Sequence, residues 1–130
     1  MDSRKRYYMI SLAKILKRTR KKFKSAFQGV KTGVLYDHSI LIQLILGLIA
    51  VVFFAFIGIT PVEWMFVISA VFMVLVTEFL NSAVEDICDL LIKNYNLHVK
   101  EIKDIAAGAV LLAALYAIII GVIVLTRRFI

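Results

Sequence analysis

Three long runs of apolar residues dominate the chain, and short polar segments separate them. The first run covers 40–62 and the third covers 105–126, both without a charged residue, whereas the second, 64–92, contains several polar side chains. About twenty helical residues cross the roughly 30 Å hydrocarbon core of a bilayer. Because backbone polar groups in lipid must be hydrogen-bonded within their own segment, the runs predict three transmembrane helices.

The segment 1–38 has a different pattern, in which apolar residues recur at helical spacing and Lys and Arg fill the opposite face. The apolar positions are Tyr8, Leu12, Ile15, Leu16, Phe23, Phe27, Val30 and Val34. This pattern is typical of an amphipathic helix that lies on an anionic membrane surface. A basic helix also suits nucleic acid, but no nucleic-acid-binding motif accompanies it, so we expect no nucleic-acid partner.

Composition and charge support a membrane protein. Hydrophobic residues make up 62% of the chain and the mean hydropathy is +0.90, whereas soluble domains are about 45–50% apolar. Eleven of the sixteen Lys and Arg precede Ile40, three lie between Asp86 and Asp104, and none lies in 58–63. Since basic loops stay in the cytoplasm, we expect a single all-α, multi-pass membrane domain, 1–130, with a cytoplasmic N-terminus.

The second apolar run contains polar residues that a simple membrane anchor does not need. Glu78, Asn81 and Glu85 stand at i, i+3 and i+7, so they share one face of a helix. An ionisable side chain inside the bilayer costs at least about 2.5 kcal/mol and normally faces a bundle interior or a functional cavity. Asn81 alone is explained by hydrogen bonding between helices; the three together favour a functional site.

Two other positions allow two interpretations each. Lys103 and Asp104 precede the third run and could hold an anionic ligand with its cation, or could be an interfacial lysine beside a carboxylate. Asp37 stands where the surface helix meets the first span. As an isolated residue, Asp37 is more readily explained as a helix cap.

Two motifs resemble the small prokaryotic diacylglycerol kinase and undecaprenol kinase family. The first is E-F-L-N-S-A-V-E-D at 78–86, and the second is K-D-I-A-A-G-A-V-L-L at 103–112, which is closer to the undecaprenol kinase branch. The resemblance implies a homotrimer in the bacterial cytoplasmic membrane, with composite active sites between subunits. It also implies transfer of the γ-phosphate of MgATP to the hydroxyl of a membrane lipid, preferably undecaprenol, with diacylglycerol as the alternative.

The resemblance also assigns roles to individual residues. It implies that Glu78 is the catalytic base, that Asn81 orients the site, and that Asp37 and Glu85 bind Mg²⁺. The implied nucleotide contacts are Arg18, Asn94, Tyr95, Asn96, Lys103 and Asp104, with Phe27 contributing from the surface helix. The chain departs from the family at Asp37, where Glu is usual, and at the less polar Ser39, Leu41 and Gln43.

Two other classes of protein remain open at this stage. One is a small proton-coupled transporter that uses Glu78 as its intramembrane carboxylate. The other is an assembly protein that forms trimers but no longer binds metal near Asp37. Phosphorylation of a lipid separates the kinase from both.

Overall fold

A computed structural model describes residues 2–130, so Met1, the first residue of the predicted surface helix, lies outside the described part. The helices are α1 (Ser3–Tyr36), α2 (His38–Ile57), α3 (Pro61–Leu91) and α4 (Leu97–Phe129). Residues 2–130 contain no strand. The helices α2, α3 and α4 are long and apolar enough to cross a membrane, which confirms the predicted all-helical fold class with three spans.

The helix α1 is a compact unit of its own, and residues 37–130 form a second unit. No residue of α1 is buried, and large apolar side chains such as Leu12, Phe23 and Phe27 are exposed on it. An amphipathic helix is normally stabilised by packing its apolar face rather than by helix propensity alone. The location of α1 on a membrane surface stays a prediction.

In the second unit, α3 is the central helix and packs against both α2 and α4. Its N-terminal half contributes Val67 to an apolar cluster with Phe54, Ile59 and Val124. A hydroxyl contact between Ser69 Oγ and Tyr116 Oη, 3.3 Å apart, also joins α3 to α4. The helix that carries the predicted polar stripe is therefore the one with a neighbour on two sides.

The turn between α2 and α3 is defined by local backbone chemistry. Gly58 adopts φ = 73° and ends α2 at Ile57, before the predicted end of the first span at residue 62, because glycine tolerates this left-handed conformation. Thr60 and Glu63 then form a reciprocal capping box, with Pro61 at the helix start. Because of this capping box and Pro61, α3 begins at residue 61, three residues before the predicted start of the span at residue 64.

The helix α4 begins earlier than the apolar run that predicted it. Asn96 caps α4 by accepting a hydrogen bond from the Val99 backbone N–H at 3.2 Å, although the predicted span starts at residue 105. The additional turns are polar and lie outside the apolar run. Hydropathy detects only the part of a helix that is apolar, and here Lys103 and Asp104 lie on the polar extension of the same helix.

Gly47 marks a close approach between α2 and α3. A Cβ atom at this position would lie 2.8 Å from Cγ1 of Val71, which is closer than carbon atoms pack. We expect Gly47→Ala to lower the free energy of unfolding by about 1–3 kcal/mol through overpacking. Thermal unfolding in detergent, followed by circular dichroism, measures this loss.

Gly121→Ala is the matched control for this prediction. A Cβ at Gly121 meets no atom within 4 Å, and both substitutions gain the same helix propensity. Adding Val71→Ala to Gly47→Ala removes the clashing methyl group and should recover part of the stability. A Gly47→Ala variant as stable as Gly121→Ala would contradict the close approach.

Candidate active site

The structure shelters the polar stripe of α3 inside the helical unit. Glu78 is 5% exposed and Asn81 is 8% exposed, and Ser82 beside them is also buried. Among residues 2–130 these three are the buried polar side chains. Glu85, one turn further along α3, is half-buried. An ionisable side chain within an apolar span is costly, and such residues normally face a bundle interior or a functional cavity.

Asn81 forms a hydrogen bond to another residue of the polar stripe, Glu85. Its Nδ2 donates a long hydrogen bond to Oε1 of Glu85, with a separation of 3.4 Å. Its Oδ1 is buried and has no hydrogen-bond partner among the described residues. Leaving a buried acceptor unsatisfied costs about 1–3 kcal/mol. Asn81 therefore directs its amide N–H group toward Glu85 and retains an acceptor that a bound hydroxyl group could satisfy.

Asp37 belongs to the same site, although it comes from the start of another helix. Its Oδ1 caps α2 by accepting hydrogen bonds from the backbone N–H groups of Ser39, at 2.8 Å, and Ile40, at 3.1 Å. The negative charges of Asp37 and Glu85 both act on Glu78. The structure thus brings Asp37 near two carboxylates of α3 that lie far from it in the sequence.

The environment of Asp37 favours its charged form. The side chain of Ser82 is the largest influence that lowers the pKa of Asp37, and the capping N–H groups of Ile40 and Ser39 lower it further, while partial burial opposes them. Hydrogen bonds to a carboxylate favour ionisation. Asp37 is therefore an anion at neutral pH and remains one at moderately acidic pH.

An open pocket lies at the junction of α3 and α4. It has a volume of about 370 Å³ and is lined by Asp89, Ile92, Lys93, Asn94, Tyr95, Asn96, Val99, Lys100, Lys103 and Asp104. Five of the residues that resemblance assigned to the nucleotide therefore line one pocket: Asn94, Tyr95, Asn96, Lys103 and Asp104. The sequence placed them in a loop and at a helix start, and the fold joins the two.

Lys103 and Asp104 do not pair with each other. Lys103 Nζ donates to Oδ1 of Asp89 at 2.9 Å, whereas Asp104 Oδ2 accepts from Nζ of Lys100 at 2.6 Å. Successive residues on a helix point about 100° apart, so neighbours in sequence favour different partners. The pocket is therefore lined by two ion pairs, each of which contains one of these two neighbours.

Arg18 lies on α1, where it adjoins Lys14, Lys17 and Lys21. Phe27 lies on the same helix and is exposed. The helix α1 is a separate unit, and the assignments of Arg18 and Phe27 stay predictions.

Sequence reasoning missed the parts played by Ser82 and Asp89. Ser82 follows Glu78 by four residues and Asp89 follows Glu85 by four, so the helical period places both on the polar stripe. Ser82 alone is more readily explained by hydrogen bonding between helices, and the sequence does not connect Asp89 with Lys103. The spacing could have found both positions, but not their partners.

Comparison with known proteins decides the family. A family model described as prokaryotic diacylglycerol kinase matches residues 24–125. The match includes the polar stripe, Asp37 and the whole pocket, while Arg18 precedes it. The chain belongs to the prokaryotic diacylglycerol kinase family. As a member of this family it is a membrane lipid kinase, a phosphotransferase that uses ATP as co-substrate.

Two curated proteins that the chain resembles are both named diacylglycerol kinase. The chain is 27% identical to a diacylglycerol kinase of Escherichia coli over 104 residues, which are 80% of this chain and 85% of that protein. It is 48% identical to a diacylglycerol kinase of Synechocystis sp. over 50 residues, which are 38% of this chain and only 29% of that protein.

Two substitutions of Asp37 can separate its capping role from a role in the kinase reaction. Asn caps helices about as well as Asp, whereas Ala costs about 1 kcal/mol. We expect Asp37→Asn to unfold close to the wild-type temperature but to need more Mg²⁺ for lipid kinase activity, and Asp37→Ala to show both defects. Thermal unfolding and a Mg²⁺ titration of activity measure the two effects.

The pH dependence of stability gives a further readout for Asp37. Because its folded-state pKa lies below the ordinary 3.8, its contribution to stability is present above that value. The contribution is lost as the pH falls through the lower folded-state pKa. The Asn variant should lack this acid-dependent loss, and an unchanged Mg²⁺ requirement in that variant would leave Asp37 with a capping role alone.

Proposed function

We propose that this kinase transfers the γ-phosphate of MgATP to the hydroxyl group of undecaprenol, with Glu78 as the catalytic base. The hydroxyl oxygen attacks the γ-phosphorus, the bond from phosphorus to the bridging oxygen breaks, and ADP leaves. The hydroxyl proton passes to the Glu78 carboxylate. The observation that carries the proposal is the burial of Glu78 beside two further carboxylates, Asp37 and Glu85.

Each polar residue of the stripe has a role that follows from its contacts. Asn81 has a buried acceptor, Oδ1, without a partner among the described residues, and the lipid hydroxyl can donate to it before the proton reaches Glu78. The long hydrogen bond from Asn81 to Glu85 favours the orientation in which the Asn81 oxygen remains available. Positioning of this kind supplies most of the catalysis in phosphoryl transfer.

Asp37 and Glu85 have the chemistry of a magnesium site completed by substrate. Within residues 2–130 no group of three or more His, Cys, Asp or Glu side chains is arranged to hold a metal alone. Mg²⁺ in kinases usually binds one or two carboxylates together with substrate phosphates and water, so two carboxylates fit that donor set. Bound Mg²⁺ would neutralise charge on the ATP phosphates.

The pocket at the α3–α4 junction suits the nucleotide. Lys103 offers a cation for phosphate, while Asn94, Tyr95 and Asn96 offer polar and aromatic groups for the base and ribose. The volume of about 370 Å³ falls at the small end of ligand pockets. The assignment of Arg18 to the nucleotide rests on the family resemblance alone.

The lipid and the membrane topology form the remaining part of the proposal. The preference for undecaprenol rests on the resemblance of residues 103–112 to the undecaprenol kinase branch, and diacylglycerol is the alternative acceptor. The basic residues before Ile40 and between Asp86 and Asp104 favour a cytoplasmic N-terminus and α3–α4 connection. ATP would then reach the site from the cytoplasm. A homotrimer with composite sites is implied by the family resemblance.

A lipid panel tests the proposal. Purified full-length protein in detergent micelles receives MgATP with labelled γ-phosphate and either undecaprenol, diacylglycerol or a matched lipid without a hydroxyl group. We expect label on undecaprenol at the highest kcat/KM, less on diacylglycerol, and none on the third lipid. Crosslinking in the same micelles measures the number of subunits.

Three results would contradict the proposal in different ways. A higher kcat/KM for diacylglycerol would overturn the preferred lipid only. Trimers that bind no MgATP would indicate the non-catalytic assembly protein. Proton-coupled flux across liposomes without lipid phosphorylation would indicate the transporter.

A further inference from the structure

We propose that Asp89 is a positioning residue for the kinase reaction, because it holds the ammonium group of Lys103 at the pocket. The inference rests on the proposed function, in which Lys103 contacts the nucleotide. Asp89 itself is not required to touch the substrate. It acts through Lys103, which it joins to the last turns of α3.

The contact is direct and crosses between two helices. Lys103 Nζ lies 2.9 Å from Oδ1 of Asp89, which is a hydrogen-bonded ion pair. The lysine side chain is 34% exposed and the aspartate side chain is 69% exposed. Both residues line the pocket, so the pair lies at the pocket wall with the lysine side chain partly covered.

Lys103 needs a partner to have a defined position. A lysine ammonium is a compact charge on a flexible four-carbon stem, and ordering that stem costs conformational entropy. The adjacent carboxylate, Asp104, is occupied by Lys100 at 2.6 Å. In the part of the chain that the structure describes, Asp89 is the carboxylate that bonds to Lys103.

The ion pair between Asp89 and Lys103 should contribute little to the stability of the fold. Asp89 should, however, have two opposing effects on the reaction, one on the binding of MgATP and one on the position of Lys103. Exposed ion pairs contribute little to folding. The negative charge of Asp89 repels a polyphosphate in the pocket, so removing the charge should strengthen electrostatic attraction of MgATP. Removing it also frees Lys103 to leave the geometry that transfer needs. A positioning role therefore predicts that kcat and KM for MgATP respond differently.

Steady-state kinetics of Asp89→Asn in the full chain test this split. We expect kcat to fall roughly ten- to hundredfold, the scale of a catalytic group misplaced by about 1 Å, while KM for MgATP is not raised. Asp89→Glu keeps the charge and shifts it by one methylene, so it should give an intermediate kcat. That variant serves as the second test where the Asn variant does not fold.

Asp86→Asn is the matched control, because it removes the same charge from an exposed position on the same helix. It should alter KM slightly and leave kcat unchanged. Equal effects of Asp86→Asn and Asp89→Asn on kcat would overturn the inference, since they would show a general change of electrostatic potential. An Asp89→Glu variant with the wild-type kcat would overturn it as well.

A double variant separates this inference from the proposed function. If Asp89 acts through Lys103, adding Asp89→Asn to Lys103→Gln should lower kcat no further than Lys103→Gln alone. Independent, multiplying effects would overturn the positioning role and leave the nucleotide site intact. Unchanged kinetics in Lys103→Gln would instead overturn the assignment of the nucleotide pocket.

Discussion

Replacing Glu78 by Gln should lower kcat by about 10²–10⁴-fold, which is the usual contribution of a general base. Glutamine has nearly the same size as glutamate and can hydrogen-bond, but it cannot accept the hydroxyl proton. KM for MgATP should stay near the wild-type value, because the proposed base would act in the transition state and would not bind the nucleotide. Initial rates in micelles with varied MgATP and lipid measure both constants.

The stability of Glu78→Gln should move in the opposite direction from its activity. Glu78 is buried, and the negative charges of Asp37 and Glu85 repel its carboxylate. The substitution therefore removes an ionisable group whose burial in the span costs free energy of folding. We expect the variant to unfold at the wild-type temperature or above it. Such a pattern is the trade-off between stability and activity seen at strained sites.

Glu63→Gln is the control for Glu78→Gln. It makes the same chemical change on the same helix, but at the capping box where α3 begins, and Gln can replace Glu in that motif. Its activity should equal that of the wild type. Full activity in a folded Glu78→Gln variant would remove Glu78 from the role of base.

Replacing Glu85 by Gln should have the second largest effect. The substitution keeps an oxygen that can accept the hydrogen bond from Asn81 but removes a charged ligand from the proposed magnesium site. Loss of groups that merely orient metal ligands costs about 10–100-fold, and we expect loss of a ligand to cost at least that. The activity that remains should need a higher Mg²⁺ concentration.

A Mg²⁺ titration of initial rates measures the effect of Glu85→Gln, and Asp86→Asn provides the neighbouring control. Asp86 is exposed, whereas Glu85 is half-buried on the stripe. The control should retain the wild-type Mg²⁺ dependence. A Glu85→Gln variant with the wild-type Mg²⁺ requirement would show that the metal is held without Glu85.

The span boundaries show how far hydropathy alone can define this fold. It identified three membrane helices, since crossing a bilayer requires about twenty apolar residues whatever the tertiary structure. It extended the first span beyond Ile57, because the left-handed turn at Gly58 lies within an uninterrupted apolar run. Hydropathy also places the start of the third span at residue 105, after the true start of α4 at Leu97. The Asn96 cap and the first turns of α4 are polar, so they are not part of the apolar run.

The polar site was predictable where a single helix contains it. The helical period alone places Glu78, Asn81 and Glu85 on one face, and the structure shelters that face. Asp37 was different, because its sequence position suits a helix cap. The structure gives it that capping role and also places its charge beside Glu78.

The amino-acid sequence is sufficient to predict the class of protein, the three spans and the angular position of each polar residue on its own helix. These properties depend on composition and on the 3.6-residue period. The contacts between helices come from the packing of the chain, which places the charge of Asp37 near Glu78 and pairs Lys103 with Asp89. Periodicity fixes directions within one helix, whereas contacts between helices depend on how α2, α3 and α4 pack.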